Sequence, residues 1–301
     1  MKFKPITIIL LILFSMTCLK GYASEDNINI KIEAEITKSG YEGETLTYEV
    51  KLYSTSRSIS KVNTISNPEF PADCRIINCD VYNNSATRPS GKGQYKYCWT
   101  ILKKFIIPQS SGKFQIKGGT YAVLIPHERI VDRGFWGYSR MIDYEQLRSQ
   151  SNSVDFKVGN LPKTSDQFAG CVGNFSIDSW FPPGEIFKGQ EAYAVIRISG
   201  YGSLQDLKVP SLYKIFQNGC QLREVDQNDE LKLKDGKLYS IVTLTCKFIP
   251  NEDNFEINPL CLEFFNPETK KYYKSCSETL RWNGSSSKSK RGTTNKDAIS
   301  I

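Results

Sequence analysis

Histidine is almost missing from this sequence: His127 is the only one in 301 residues. A metal site built from several imidazoles is therefore excluded, and any His-dependent catalytic dyad has a single base to draw on. No two cysteines stand in a CxxC pair, which argues against a zinc site. No GxSxG elbow, Walker loop, HExxH or GxGxxG occurs in a fitting context, and there is no DxSxS cation site. Gly200-Tyr201-Gly202-Ser203 follows a strand pattern, but no Gly-Lys-Ser/Thr comes after it, so it reads as a turn. Glu42 with Glu44, and Asp226 with Asp229 and Glu230, stand beside turn signals and read as solvated groups rather than paired acid and base. Nothing ties His127 to a cysteine nucleophile. The chain is expected to be no enzyme and to use no cofactor or metal.

Excess charge is missing from the folded part. The formal net charge is +7. Residues 1–23 hold Lys2, Lys4 and Lys20 with no acid, and residues 281–301 hold Arg281, Lys288, Lys290, Arg291 and Lys296 against Asp297. These two ends account for the whole excess and leave 24–280 neutral. Nucleic-acid binders concentrate positive charge on the folded domain, because phosphate contacts dominate their affinity. No nucleic-acid partner is expected, and 281–301 reads as a disordered basic tail.

Long hydrophobic runs are missing as well, with one exception. Met1-Lys2-Phe3-Lys4 leads into an apolar stretch of fourteen residues, Ile6 to Leu19, followed by Gly21-Tyr22-Ala23-Ser24. Charged start, apolar middle and small residues at a cut make a secretory signal peptide over 1–23. An uncleaved anchor is the rival, yet such a helix reaches only ~21 Å against a hydrocarbon core of ~30 Å. Lipidation at Cys18 is a second rival, but Ser15-Met16-Thr17-Cys18 is a poor lipobox and Leu19-Lys20 follows it. With Cys18 removed, Cys74, Cys79, Cys98, Cys171, Cys220, Cys246, Cys261 and Cys276 remain. An even count in an exported chain is a disulfide signature, each bond worth ~2–4 kcal/mol. Free cysteines also serve as small buried hydrophobes, above all in strands. Both readings stand, and the spacing shows no connectivity.

What is present is ordinary globular composition, 40% hydrophobic and 24% charged, with alternation of period two. Ile28, Ile30, Ile32, Ala34 and Ile36 fall on one face, with Asn29, Lys31, Glu33 and Glu35 on the other. After the turn at 39–44, Leu46, Tyr48, Val50 and Leu52 alternate with Thr47, Glu49 and Lys51. Such segments are half-buried antiparallel strands. Only Ser139–Ser149 suggests a short helix.

The pattern returns. Tyr41-Glu42-Gly43-Glu44-Thr45-Leu46 through Leu52 matches Phe187-Lys188-Gly189-Gln190-Glu191-Ala192 through Ile198, an offset of 146 residues. Phe105-Ile106-Ile107-Pro108 through Ile116 is answered by Phe248-Ile249-Pro250 through Ile257. Matched landmarks of this kind predict two copies of one β domain, 24–158 and 159–280. Short strands between Gly, Pro, Asn and Asp turns call for two packed sheets per copy. The expected fold is all-β: two tandem immunoglobulin-like antiparallel β-sandwich domains, with Tyr97, Trp99 and Tyr239 in the cores.

The copies differ in one place. Ile116 to Val154 is 38 residues and Ile257 to Thr279 is 22, a surplus of about sixteen in the first copy. The surplus lies near 127–150 and carries Arg133, Phe135, Trp136, Tyr138, Arg140 and Tyr144 among glycines. Aromatics and arginines so placed suit a binding loop. The plain alternative is that Phe135 and Trp136 plug the domain junction or cover a sheet edge.

Residues 159–212 are more specific. Val158-Gly159-Asn160-Leu161-Pro162 leads to Phe168-Ala169-Gly170-Cys171-Val172-Gly173-Asn174-Phe175, then Ile198-Ser199-Gly200-Tyr201-Gly202-Ser203-Leu204. This resembles the BatD family, the oxygen tolerance or aerotolerance proteins of the bacterial envelope, whose pattern has Leu-Pro, Phe-x-Gly-x-Val-Gly-x-Phe and Ile-x-Gly-x-Gly-Asn-Leu. Phe264-Phe265-Asn266-Pro267 with Tyr272-Tyr273 also fits the family's pattern. Ser203 replaces the usual Asn, and Cys171 a small residue. The resemblance implies a periplasmic β-domain interaction or scaffold protein acting with von Willebrand A-type membrane proteins and a MoxR-class ATPase in aerotolerance or envelope stress. Family members continue into a transmembrane helix, which this sequence lacks, so membrane association is expected to be indirect. Gly170, Gly173, Gly200 and Gly202 read as structural, the first two permitting close backbone approach or positive φ and the last two a sharp bend. A surface adhesin or glycan-binding module using 133–144 is the alternative function, and a thiol enzyme a further one.

Overall fold

The computed structural model describes residues 28–284 except 38, 80–85, 88, 90–92, 134, 136 and 164–166. The expected signal peptide with Cys18, Trp136 and the tail beyond 284 lie outside the described residues, as does the side chain of Cys79. Among the described residues no α-helix occurs, and no helix is long and apolar enough to cross a membrane. The fold is all-β, as the period-two alternation predicts.

The first half contains β1 (Ile30–Ile36), β2 (Ser39–Tyr41), β3 (Leu46–Ser54), β4 (Lys61–Ser66), β5 (Cys74–Cys79), β6 (Tyr97–Pro108), β7 (Gly112–Ile116), β8 (Thr120–Asp132), β9 (Tyr138–Gln150) and β10 (Val154–Gly159). One sheet runs β1-β3-β6-β5, with β4-β8-β9 and β2-β10-β7 as the others. Strand β3 shows why these residues make strands: Leu46, Tyr48, Val50 and Leu52 are fully buried, and the alternating Thr47, Glu49 and Lys51 are not. Their buried face packs with Ile116, Tyr121, Val123, Ile125, Phe156 and Val158 from β7, β8 and β10. The three sheets thereby close one apolar layer between them, the sandwich solution to one-sided strands.

The second half contains β11 (Phe168–Trp180), β12 (Ala192–Gly202), β13 (Cys220–Lys234), β14 (Lys237–Pro250), β15 (Asn254–Ile257), β16 (Cys261–Asn266), β17 (Lys271–Cys276) and β18 (Leu280–Asn283). They are ordered β13-β14-β12-β11-β16-β17, with β15-β18 apart. Strand β11 pairs antiparallel with β12 and, at Phe168 and Val172, parallel with β16, so it passes between sheets. A second cluster of buried residues, from Ala169 to Phe264, is made of this half alone. Strand β18 continues beyond the expected limit at 280, because Trp282 packs on that cluster and Arg281 pairs with Glu256 at 2.8 Å.

The halves answer each other strand for strand where the sequence repeats. Strands β3 and β12 hold the matched segments, β7 pairs with β10 as β15 pairs with β18, and β8–β9 is a hairpin as β16–β17 is. The surplus residues lengthen that hairpin: β8 and β9 have 13 residues each, β16 and β17 have 6 each. The helix expected at Ser139–Ser149 is overturned, since β9 is paired with β8 along its whole length and those ladder bonds replace helical ones. Tyr97 and Tyr239 are also corrected. Both are half-buried and belong to neither core cluster: Tyr239 stands on the outward face of β14, and Tyr97 is the first residue of β6, on the same side as Trp99, which does pack against the first cluster.

The four glycines have a common structural cause. A Cβ on Gly200 would lie 2.0 Å from the Asn174 carbonyl oxygen, and one on Gly173 2.3 Å from the Tyr201 oxygen. Gly202, at φ +129°, would meet the Val172 oxygen at 2.7 Å. Gly170, at φ +82°, faces the Asp206 oxygen at 2.8 Å. Close approach of β11 to β12, with the Phe175 ring laid over Gly173 and Gly202, requires glycine there. Gly200 thus lies within β12 and serves contact, while Gly202 is the last residue of β12, at the strand end where a bend was expected. Tyr273 secures the same spot, its hydroxyl accepting from the Phe175 N–H at 2.5 Å. Gly200→Ala is expected to lose about 2–4 kcal/mol of stability, because backbone must move. Gly159→Ala, whose Cβ would meet only ordinary contacts at 3.8 Å or beyond, should stay within about 0.5 kcal/mol in the same urea titration.

Candidate functional site

Burial along β8 stops at Ile125; from His127 to Ile130 every residue is exposed, and β9 is exposed over most of its length. The hairpin therefore leaves the sandwich as a two-stranded ribbon held by its own ladder. Register places Tyr144 opposite Pro126, Ile142 opposite Glu128, Arg140 opposite Ile130 and Tyr138 opposite Asp132. Opposed residues of an antiparallel pair share a face. Tyr138, Arg140 and Tyr144 thus stand together with Ile130 and Ile142. This face is apolar and wet: Ile130 is 69% exposed, Tyr138 78%, Ile142 55% and Tyr144 56%.

Arg140 reaches Glu128 at 3.9 Å within that face. On the opposite face His127 Nε2 lies 2.9 Å from Glu145 Oε2. The sole histidine is thereby engaged with a carboxylate on the open ribbon, far from a buried nucleophile. Phe135 at the turn is 98% exposed, so it does not plug a junction between the halves; the ribbon carries it away from both cores. Ile130 and Ile142 were missed by sequence reasoning. Reading 138–144 with period two would have found Ile142, since it falls in step with Tyr138, Arg140 and Tyr144.

The carboxylates read as solvated pairs are placed differently. Glu44 is half-buried, accepts the Tyr41 N–H at 2.8 Å, and lines a cleft of about 270 Å³ between the halves with Thr45, Asn174, Tyr201, Lys237 and Glu268. Burial, with the nearby Glu268 charge, raises its pKa against the lowering bond from Tyr41. Asp226, Asp229 and Glu230 are exposed within β13 rather than beside a turn. Among the described residues no group of histidine, cysteine and carboxylate side chains could hold a metal ion.

Of the eight candidate disulfide cysteines, Cys261 and Cys276 are bonded, directly opposite each other on β16 and β17. Cys74, Cys98, Cys171, Cys220 and Cys246 are instead free and buried, a correction to their reading as disulfide partners. Cys74, Cys171, Cys220 and Cys246 belong to the two core clusters, where a small apolar side chain packs, whereas Cys98 lies opposite Tyr53 on the outer face of β3 and β6, near Lys51 and Glu35. Burial pushes the Cys171 and Cys246 thiols up to about 12 and those of Cys74 and Cys220 up to about 11; Cys98 is raised too. A reactive thiolate requires the opposite shift.

Two outcomes follow from these thiols. Brief alkylation of the native protein at neutral pH, mapped by mass spectrometry, should leave all five unmodified, and fast labelling of any one would restore a thiol chemistry. A group whose folded pKa is raised stabilises the fold below its unfolded value and loses that contribution as pH climbs. Stability should therefore fall from about pH 9 toward pH 12, and less steeply in Cys246→Ala, when urea midpoints are compared. Compared with known proteins, the chain matches no family model and no curated protein.

Proposed function

We propose that this chain is an exported, non-enzymatic interaction protein of the bacterial envelope, a BatD-like scaffold of two β-sandwich domains. By that resemblance it acts with von Willebrand A-type membrane proteins and a MoxR-class ATPase, in aerotolerance or envelope stress. One observation carries the reading: a ribbon leaving the core with Ile130, Tyr138, Ile142 and Tyr144 exposed together on one face. Apolar side chains aligned in water, with Arg140 among them, have the composition of a protein-docking surface. The Cys261–Cys276 bond supports export, since such bonds persist in oxidising compartments. The buried, raised thiols speak against a thiol enzyme.

The exposed Phe135 and Tyr138 also favour a second reading, a surface adhesin or glycan-binding module that stacks sugars on the 133–144 aromatics. The two separate experimentally. A photo-crosslinker at position 138, used in intact envelopes, should capture a von Willebrand A-type membrane protein. Tyr138→Ala with Tyr144→Ala should weaken that complex about thirtyfold or more, the scale of hot-spot loss. Failure to capture such a protein, together with glycan-array binding that Trp136→Ala abolishes, would replace the scaffold reading with the adhesin.

A further inference from the structure

The outer edge of β9 is open. Strand order β4-β8-β9 puts it last in its sheet, and no other described strand pairs with it. Open edges invite pairing with another chain, and proteins blunt them by shortness, lysine, proline or a bulge. The other described edges carry such devices. β2, β15 and β18 have three or four residues, and β5 has six. β1, β4, β7, β13 and β17 contain lysine, and β13 is bulged between Leu222 and Glu224. β9 has 13 residues, no lysine, no proline and an unbroken register, and its charges, Arg140 and Arg148 with Asp143 and Glu145, are of both signs and balance.

Its hydrogen-bonding groups can be assigned. Arg133 N–H donates to Gly137 O at 2.8 Å at the turn, so the odd-numbered residues of the ribbon bond across β8–β9. The even-numbered ones turn outward. Leu124 confirms the alternation, its carbonyl accepting from Ser60 N–H on the β4 side at 2.8 Å. Tyr138, Arg140, Ile142, Tyr144 and Gln146 therefore aim N–H and C=O at the open edge, and the same residues carry the apolar face.

We infer that β9 pairs antiparallel with β9 of a second copy of this chain, about a two-fold axis at Ile142. In that register Ile142 meets Ile142 of the other copy, Arg140 meets Tyr144, and Tyr138 meets Gln146. Met141 meets Asp143 and Ser139 meets Glu145, so no like charges oppose. Centring on Asp143 or Glu145 would set that carboxylate against itself. Centring on Tyr144 would set Arg140 against Arg148 and Asp143 against Glu145. Cross-strand like charges are destabilising, whereas an arginine beside a tyrosine ring is favourable. The product is a continuous four-stranded ribbon, with the apolar faces of both copies joined on one side.

Ile142→Pro provides the test. The outward N–H it removes is not used within the hairpin, and the axis loses one donor from each copy. Sedimentation equilibrium of the exported chain should show a reversible dimer, weakened about 10- to 100-fold by Ile142→Pro with circular dichroism unchanged. If that variant unfolds, Ile142→Cys decides: mild oxidation should link two chains through position 142, and Ser139→Cys should not. A chain still monomeric at about 1 mM, a dimer indifferent to Ile142→Pro in a folded variant, or linkage as efficient through Ser139→Cys would overturn the inference.

Discussion

A strand that is apolar on one side only is unstable until that side meets another sheet, and this requirement organises the molecule. Leu46, Tyr48, Val50 and Leu52 bury the inner face of β3 against Tyr121, Val123 and Ile125 of β8. Alanine, valine, isoleucine, leucine and phenylalanine from β12, β14 and β16 do the same in the second half. At ~25 cal/mol per Å² of apolar surface, this burial is the largest favourable contribution available to such strands. Tyr48 shows how dry the layer is, its hydroxyl pushed up to about 12 mainly by burial. Everything on the surface, loops and hairpins alike, is positioned by these two layers.

Where a layer ends, the rules for the chain change. Strands β8 and β9 obey the core as far as Ile125 and Leu147, then continue with water on both sides. Past that point their pairing is held by backbone hydrogen bonds and cross-strand contacts such as Arg140 with Glu128. The second half has no such extension; its equivalent hairpin turns back after six residues and is closed by the Cys261–Cys276 bond. One hairpin is thus trimmed and stapled, and its counterpart in the first half is drawn out. The exposed apolar face and the open edge belong to the drawn-out copy.

The cysteines divide along the same line between core and surface. Cys171 and Cys246 sit among phenylalanine and isoleucine, where a thiol behaves as a small hydrophobe. Only the pair opposed on a partly exposed hairpin is oxidised among the described cysteines. An expected export and an even count made disulfides a reasonable expectation for all eight. Pairing, however, depends on which side chains face each other, and inward strand positions mostly face leucine, isoleucine and phenylalanine here.

The sequence by itself determined the all-β class, the strand–turn–strand stretches at 105–116 and 248–257 and the repeated segments at β3 and β12, because period-two alternation and turn residues act locally. It also located the surplus near 127–150 and singled out Gly170, Gly173, Gly200 and Gly202. The tertiary structure decided what these were for. Gly173, Gly200 and Gly202 answer carbonyl oxygens on the paired strand and Gly170 one in the turn at 205–206, which no local pattern contains. Residues 139–149 became a strand because β8 offered partners along their whole length. Glu44 left solvent because residues of the second half close over it. Ile130 joined the face of Tyr138, Ile142 and Tyr144 only when register set it opposite Arg140. Long-range pairing sets each of these outcomes, and pairing is a property of two segments at once, which neither segment's sequence contains alone.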